Sequence, residues 1–249
     1  MQSNPEDKQE LPKPILFTSN SNTKEELPEN AVYLFDKSEG ISSFGAVYKV
    51  RSKLKEVHNK KIKVGHCGTL DPLATGLLIL VSGKLTKRAG ELTKLDKIYE
   101  AEATLGSSST TYDSEGELNP VSTKKPSLSE VKAELNKFIG KIEQTPPIFS
   151  AIKIDGKRAY KLAREGKEVI IKPRQVEIYS IKLDKYSYPK VKFTVHVSSG
   201  TYIRSLIDDL GKNLGVGAHM SALRRTSIGV FHLYQEGSSA NSHSQQLQK

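Results

Sequence analysis

The sequence predicts an α+β fold. Two stretches alternate apolar and polar side chains as half-buried strands do, one from Tyr99 to Leu105 and one from Val191 to Val197. A third stretch, Leu128 to Ile139, has the apolar spacing of a helix and follows a capping box formed by Ser127 and Glu130. Because helices and strands do not alternate strictly, we expect a mixed, largely antiparallel central sheet flanked by helices and loops.

The other predicted elements are shorter or less regular. Ala31 to Phe35 is a short apolar run that indicates a strand, and Leu77 to Val81 is the longest apolar cluster, of a length suited to a core. Helices are predicted for Ser42 to Leu54, for Lys157 to Glu165 and for Tyr202 to Asn213; the last two are followed by a glycine that can end a helix.

The two ends of the chain differ in composition from its middle. Residues 1–30 mix prolines and charges without any period, which predicts a flexible N-terminal arm. Residues 236–249 are mostly polar and are expected to form a disordered tail. Residues 31–235 should therefore form one folded unit, and they contain no internal repeat of solenoid or propeller length.

Charge and cysteine content narrow the classes of function. The chain has 38 Lys and Arg against 28 Asp and Glu, a net charge of +10 that favours an anionic partner, whether nucleic acid, acidic membrane or acidic protein. The single cysteine, Cys67, excludes an intrachain disulfide and a cysteine-rich zinc site. Without a signal-like N-terminus or a run of ~18 apolar residues, the expectation is a cytoplasmic protein.

Lysines and arginines cluster in two places, which are usually solvated surfaces but could contact phosphates in this basic chain. The clusters are Lys53, Lys55, Lys60, Lys61 and Lys63, and Lys153, Lys157, Arg158, Lys161 and Arg164.

One aspartate has an unusual sequence context. Asp71 ends the run Gly-His-Cys-Gly-Thr-Leu-Asp at residues 65–71 and precedes Pro72. Asp followed by Pro is a common helix start, so a capping role is one interpretation. Glycines at 65, 68 and 76 favour a second interpretation, in which Asp71 faces a substrate. They let backbone and substrate approach the carboxylate closely, with His66 nearby. A carboxylate can also serve as a nucleophile towards a sugar or base.

The stretch from Gly65 to Leu80 closely resembles the central motif of the TruB family of tRNA pseudouridine synthases. Further matches, in the family's order, are Lys37–Ser43, Lys97–Tyr99, Gln144–Pro147 with Ser150–Ala151, Gly156–Tyr160, Gly200–Arg204, Asp208–Gly211, Gly217–His219 and Leu223–Arg225. The resemblance covers about residues 31–230. It implies the pseudouridine synthase fold and the isomerisation of uridine 55 in the T-loop of tRNA without metal or cofactor. We separately expect a monomer with no obligate protein partner.

The resemblance also assigns catalytic roles. It makes Asp71 the nucleophile, Tyr99 the ring that stacks on a flipped-out base, and Arg204 the partner that keeps the carboxylate ionised and aimed. Without it, Tyr99 would be interpreted as a core residue of a strand and Arg204 as a surface residue in the first turn of a helix.

Four more residues match positions that the family uses to bind the substrate. His66 resembles the histidine that meets the flipped nucleotide. A metal-ligand role is not expected for it, because no Cys or His lies at ligand spacing from it. Tyr202 and Leu223 match residues that line the base pocket, although Leu223 alone would be interpreted as core. Lys84 falls where members carry a basic residue near the substrate, and a solvated lysine is the alternative.

The sequence departs from the family pattern in three places. Ser38 replaces a usual proline, Thr110 replaces a common acidic residue, and only 14 residues follow Gln235, where many members have a C-terminal RNA-binding domain. We therefore expect a catalytic domain alone, with weakened tRNA binding. Two rival functions stay open, a guide-dependent or ribosomal-RNA pseudouridine synthase and a tRNA-folding chaperone without catalysis.

Overall fold

A computed structural model describes residues 10–150, 153–154, 157–158 and 171–233 of the chain. The helices in these residues are α1 (Ser43–His58), α2 (Ala89–Thr93), α3 (Leu128–Asn136) and α4 (Ile203–Asn213), and a 3-10 helix spans Gly83–Arg88. The strands are β1 (Ile15–Leu16), β2 (Val32–Lys37), β3 (Val64–His66), β4 (Thr75–Ser82), β5 (Lys97–Leu105), β6 (Ser107–Ser109), β7 (Leu118–Pro120), β8 (Gly140–Gln144), β9 (Lys153–Ile154), β10 (Lys157–Arg158), β11 (Arg174–Ser187), β12 (Lys190–Val197), β13 (Ala218–Ile228) and β14 (Phe231–His232).

Ten strands form one mixed sheet. Eight of them follow the order β1-β2-β4-β13-β5-β12-β11-β8, while β3 pairs with β4 and β14 with β13. All neighbours are antiparallel except β1 with β2 and β4 with β13. The predicted α+β class and the largely antiparallel sheet are therefore confirmed.

The strand β4 is buried on both faces of the sheet. Leu78 and Leu80 belong to the main core, which α1, α3 and α4 cover, whereas Leu77, Ile79 and Val81 belong to a smaller core on the opposite face. A strand that is covered on both sides has no polar face, so its sequence is a continuous apolar run rather than an alternating one. This explains the longest apolar cluster of the chain.

Most predicted elements are found close to their expected bounds. The alternating stretches form β5 and β12, and the helices expected at Ser42 and Tyr202 are α1 and α4. Helix α3 begins with the predicted capping box of Ser127 and Glu130. The helix predicted from Lys157 is not borne out at its start, because Lys157–Arg158 pair with β9 as a strand; residues 159–170 lie outside the described residues.

The N-terminal segment differs from the predicted flexible arm. Ile15 pairs in parallel with Tyr33 of β2, Phe17 stacks on Phe35 with ring centroids 5.7 Å apart, and Leu27 is fully buried. Its apolar residues show no period because most of the segment is irregular, so the pattern does not reveal that they pack on the sheet. Residues 1–9 and 236–249 lie outside the described residues.

Candidate active site

Asp71 lies in the loop that joins β3 to β4, and no helix begins there. β3 and β4 are antiparallel, with His66 opposite Leu80, so residues 67–74 form the connection between two paired strands. The capping interpretation of Asp71 is therefore wrong, because the apolar run after Pro72 becomes a strand instead of a helix.

The loop is held on both sides of Asp71. The Leu70 backbone N–H donates to Ser43 Oγ at 2.8 Å, and the same hydroxyl donates to Leu70 O, also at 2.8 Å. On the other side, Gly40 N donates to Pro72 O at 2.9 Å and Lys37 Nζ donates to it at 3.1 Å. The motif at residues 37–43 thus fixes the loop that carries the carboxylate.

Lys37 is a fully buried lysine that the sequence analysis did not single out. Its ammonium group also donates to the carbonyls of Ser38, at 3.0 Å, and Ile41, at 2.7 Å. Burial lowers the pKa of Lys37, and the nearby Asp71 charge partly opposes this. Its place in the first family motif was the only sequence signal for this role.

Arg204 pairs with Asp71, as the resemblance implied. It lies in the first turn of α4, is 5% exposed, and places Nη2 3.0 Å from Asp71 Oδ2. The guanidinium is held by further acceptors: Nη2 donates to Phe149 O at 2.9 Å, and Nη1 donates to Thr111 O at 3.1 Å. An arginine fixed in this way can hold a carboxylate in one orientation.

A second carboxylate completes this network. Asp113 is buried, and its Oδ2 accepts from Arg204 Nη1 at 3.1 Å. Its other oxygen accepts from the Thr111 hydroxyl at 2.5 Å and from Glu115 N at 3.1 Å. Sequence reasoning missed Asp113, although the segment that contains it had been noted for the departure at Thr110.

The surroundings of Asp71 act on its charge in opposite directions. Burial raises the pKa of Asp71 above its ordinary value, Arg204 opposes this rise, and the like charge of Asp113 adds to it. The side chain keeps 34% of its exposure because the carboxylate opens into cavities. The result is a carboxylate whose charge is disfavoured by burial and stabilised by Arg204, an environment that suits a nucleophile or base.

The first cavity beside Asp71 has a volume of about 270 Å³ and brings together most of the predicted site. Its lining includes Asp71, Tyr99, Tyr202, Arg204 and Leu223. Tyr99 and Leu223 come from the neighbouring central strands β5 and β13, whereas Tyr202 and Arg204 come from the start of α4. Residues far apart in sequence are thus assembled around one carboxylate.

Two contacts fix Tyr202 at this cavity. The Gln144 side chain accepts from Tyr202 N at 2.7 Å and donates to Tyr202 O at 3.0 Å. The Arg174 guanidinium lies 4.9 Å from the centre of the Tyr202 ring, close enough for a cation–π contact. Gln144 begins one of the motifs that resemble the family, so this part of the resemblance falls on a residue that positions Tyr202.

Two buried cations also line the first cavity. Arg225 is 1% exposed and donates to Leu77 O at 2.7 Å and Gly68 O at 3.1 Å. Lys97 donates to the carbonyls of Thr93 and Leu95, and burial together with Arg225 lowers the pKa of Lys97 to about 8. Neither was a candidate from the sequence, although both lie in family motifs.

His66 lies at a second cavity of about 780 Å³, which shares Asp71 and Arg204 with the first. Asp71, Arg204 and Asp113 also line this cavity, and Phe44 forms part of its wall. Lys84, in contrast, is exposed and lines neither cavity. The structure thus brings six of the seven predicted site residues to the two cavities around Asp71.

Within the described residues, no group of three or more His, Cys, Asp or Glu side chains is arranged to hold a metal ion. In the same part of the chain, none of the helices has both the length and the apolar character that crossing a membrane requires.

Solved structures resemble this one closely enough to define its class. A Cbf5-Nop10-Gar1 complex contains a chain that is 31% identical with a TM-score of 0.62, over 84% of this chain and 51% of that one. An H/ACA RNP bound to a substrate RNA containing 2'-deoxyuridine contains a chain that is 28% identical with a TM-score of 0.60, over 84% of this chain and 50% of that one. This chain spans about half the length of those chains. The fold is that of the pseudouridine synthases.

Sequence comparison identifies the family within this class. The sequence model of the TruB family pseudouridylate synthase N-terminal domain matches residues 54–203, and that of the tRNA pseudouridylate synthase B C-terminal domain matches residues 204–248. A tRNA pseudouridine synthase B of Phocaeicola vulgatus is 45% identical over 82% of this chain and 88% of its own length. A tRNA pseudouridine synthase B of Chloroherpeton thalassium is 42% identical over 84% of this chain and 87% of its own length. The chain belongs to the TruB family.

The C-terminal match falls on a part of the sheet. Its described portion contains α4, β13 and β14, and β13 pairs with β5 and β4 at the centre of the sheet.

Proposed function

We propose that the protein converts uridine 55 in the T-loop of tRNA to pseudouridine, with Asp71 as the nucleophile. The observation that carries this proposal is the contact of 3.0 Å between Arg204 and Asp71 at a cavity that Tyr99 also lines. The names of the curated relatives, tRNA pseudouridine synthase B, support tRNA as the substrate.

The reaction is a balanced isomerisation that needs no oxidant or reductant. The bond from the sugar carbon to uracil N1 breaks, the uracil turns, and a bond from the same carbon to C5 forms. The proton lost from C5 is balanced by one gained at N1. Asp71 attacks the nucleotide, and the resulting intermediate is released when the new bond is complete.

The surrounding residues hold the flipped nucleotide in this proposal. The ring of Tyr99 stacks on the uracil, and Tyr202 and Leu223 enclose it in the first cavity. His66 contacts the nucleotide from the second cavity, and Lys84 binds the RNA further out, because it lines neither cavity. Extruding a loop base costs roughly a few kcal/mol, which stacking and enclosure in the pocket offset.

The test is to map pseudouridine after incubating unmodified tRNA, and separately ribosomal RNA, with the wild type and with Asp71→Asn. We expect modification at the T-loop uridine by the wild type, no modification by Asp71→Asn, and tRNA binding by both. Ordinary turnover by Asp71→Asn would exclude the nucleophile, and modification of ribosomal RNA alone would exclude the substrate. Binding without any modification by the wild type would favour the chaperone.

We also propose that the protein acts as a monomer in the cytoplasm. Light scattering of the purified chain at micromolar concentration should give a mass near 27.5 kDa; twice that mass would contradict the proposal. Cell fractionation tests the location.

A further inference from the structure

One face of α1 presents aromatic side chains to solvent. Phe44 is 64% exposed and Tyr48 is 59% exposed, one helical turn apart. The guanidinium of Arg51 lies 5.8 Å from the centre of the Phe44 ring and 5.7 Å from that of Tyr48. We call these three residues the α1 platform. Their spacing of four and three residues places them on one face of the helix.

The α1 platform begins at the wall of the second cavity. Phe44 lines this cavity together with Asp71 and His66. Ser43, the first residue of α1, is hydrogen-bonded in both directions to Leu70, so the helix start is fixed relative to the catalytic loop. From Phe44 the platform extends about 10 Å along the helix to Arg51. It is therefore a continuation of the site surface.

The charge around the α1 platform favours a polyanion. Residues 43–63 contain seven Lys and Arg but one acidic residue, Glu56. Among the described residues, no carboxylate pairs with Arg51, Lys49 or Lys55. A protein partner that covered Phe44 and Tyr48 would bury these cations or need matching carboxylates, whereas RNA supplies both bases and phosphates.

We propose that the α1 platform stacks on an unpaired nucleotide that flanks the target uridine, with Lys49 and Lys55 at nearby phosphates. This rests on the proposed function, since it assumes that a base enters the site at Asp71. A flipped base leaves its neighbours without a stacking partner, and exposed aromatic rings and an arginine plane replace such a partner for any base. The platform would thus stabilise the opened loop.

The experiment measures binding of unmodified tRNA to Phe44→Ala, Tyr48→Ala and the double variant, in the Asp71→Asn background that prevents turnover. We expect Kd to rise tenfold or more for the double variant, while the slope of log Kd against log salt stays unchanged because stacking releases no counterions. Lys49→Gln should instead reduce that slope by about one. Tyr48→Phe, which keeps the ring, should retain wild-type Kd.

The matched control is Tyr179→Ala. Tyr179 is also an exposed aromatic residue, 45% exposed, but it lies on β11 and lines neither cavity beside Asp71. Its Kd should equal that of the parent protein. A tRNA with 2-aminopurine next to the target uridine provides a direct signal, because stacking quenches its fluorescence: we expect quenching with the parent protein and less quenching with the double variant.

The outcomes separate this proposal from the proposed function. An unchanged Kd and unchanged quenching in the double variant overturn the α1 platform, even if pseudouridine still forms in the wild type. If the wild type is a dimer and the double variant is a monomer, the α1 platform binds a second copy of this chain instead of a nucleotide. This result would also overturn the proposal. If the wild type makes no pseudouridine but the Kd effect is present, only the proposed function fails.

Discussion

Arg204 contacts Asp71 through an ion pair of 3.0 Å while its own side chain is 5% exposed. Four groups of the protein hold the guanidinium: the carboxylates of Asp71 and Asp113 and the carbonyls of Thr111 and Phe149. The arginine therefore has its position before any substrate arrives, and preorganised charges of this kind lower a barrier without reorganising during the reaction.

The acid limb of the pH profile should report Asp71. Because the pKa of Asp71 is raised by burial, the carboxylate becomes protonated, and kcat/KM falls, at a pH above its ordinary value of 3.8. Arg204→Gln removes the group that lowers this pKa, so its acid limb should lie at a higher pH than that of the wild type, with kcat reduced about 10²–10³-fold. If kcat/KM of Arg204→Gln falls at the same acidic pH as that of the wild type, Arg204 does not lower the pKa of Asp71.

Asp113→Asn should lower both stability and turnover. The substitution takes away the negative partner of Arg204, a carboxylate that is 3% exposed. Breaking such a buried pair costs about 3 kcal/mol in the free energy of unfolding. Since Arg204 then loses its alignment, kcat should fall more than KM rises. Urea denaturation and single-turnover assays measure the two effects.

The control for Asp113 is Asp208→Asn in α4. Asp208 is 6% exposed on its side chain, but its partner Lys212, at 2.6 Å, is 64% exposed and can be solvated when the pair is broken. Equal losses in the two variants would show that Asp113 has no special relation to Arg204.

Lys97 should make stability depend on pH. Its pKa is lowered from 10.5 to about 8, so between these values the unfolded chain holds a proton that the folded protein has released. Stability then rises with pH across this window, by about 3 kcal/mol for the wild type relative to Lys97→Met, which has no such proton. Urea denaturation of both proteins from pH 7 to 10.5 measures the difference; a constant difference would contradict the lowered pKa.

Gly76→Ala should be strongly destabilising. Gly76 has φ +95°, and an added Cβ would lie 2.3 Å from the carbonyl oxygen of Arg225, its partner on β13. Separating the strands and straining the backbone should cost at least about 3 kcal/mol. Gly65→Ala is the control, because a Cβ there meets nothing within 4 Å. Thermal unfolding compares them, and a Gly76→Ala protein as stable as Gly65→Ala would contradict the close approach.

The sequence determined the local elements and the outline of the site. Alternation predicted β5 and β12 because each of these strands has faces of different polarity, and the capping box predicted α3 because it satisfies the first backbone N–H groups. The family motifs selected Asp71, Tyr99 and Arg204, and side-chain chemistry independently favoured only Asp71. The capping interpretation of Asp71 and the predicted helix start at Lys157 failed because short motifs fit more than one local structure.

The tertiary structure decided which distant residues meet. Asp113 and Arg204 are 91 positions apart and Tyr99 reaches the same cavity through the strand order, which no local pattern encodes. Lys37, Lys97 and Arg225 lie in family motifs, but their burial was not predictable, because a charged residue gives no sign in sequence of being buried among carbonyl groups. Periodicity reports how one element is buried, whereas the geometry around Asp71 depends on how β4, β5, β13 and α4 pack together.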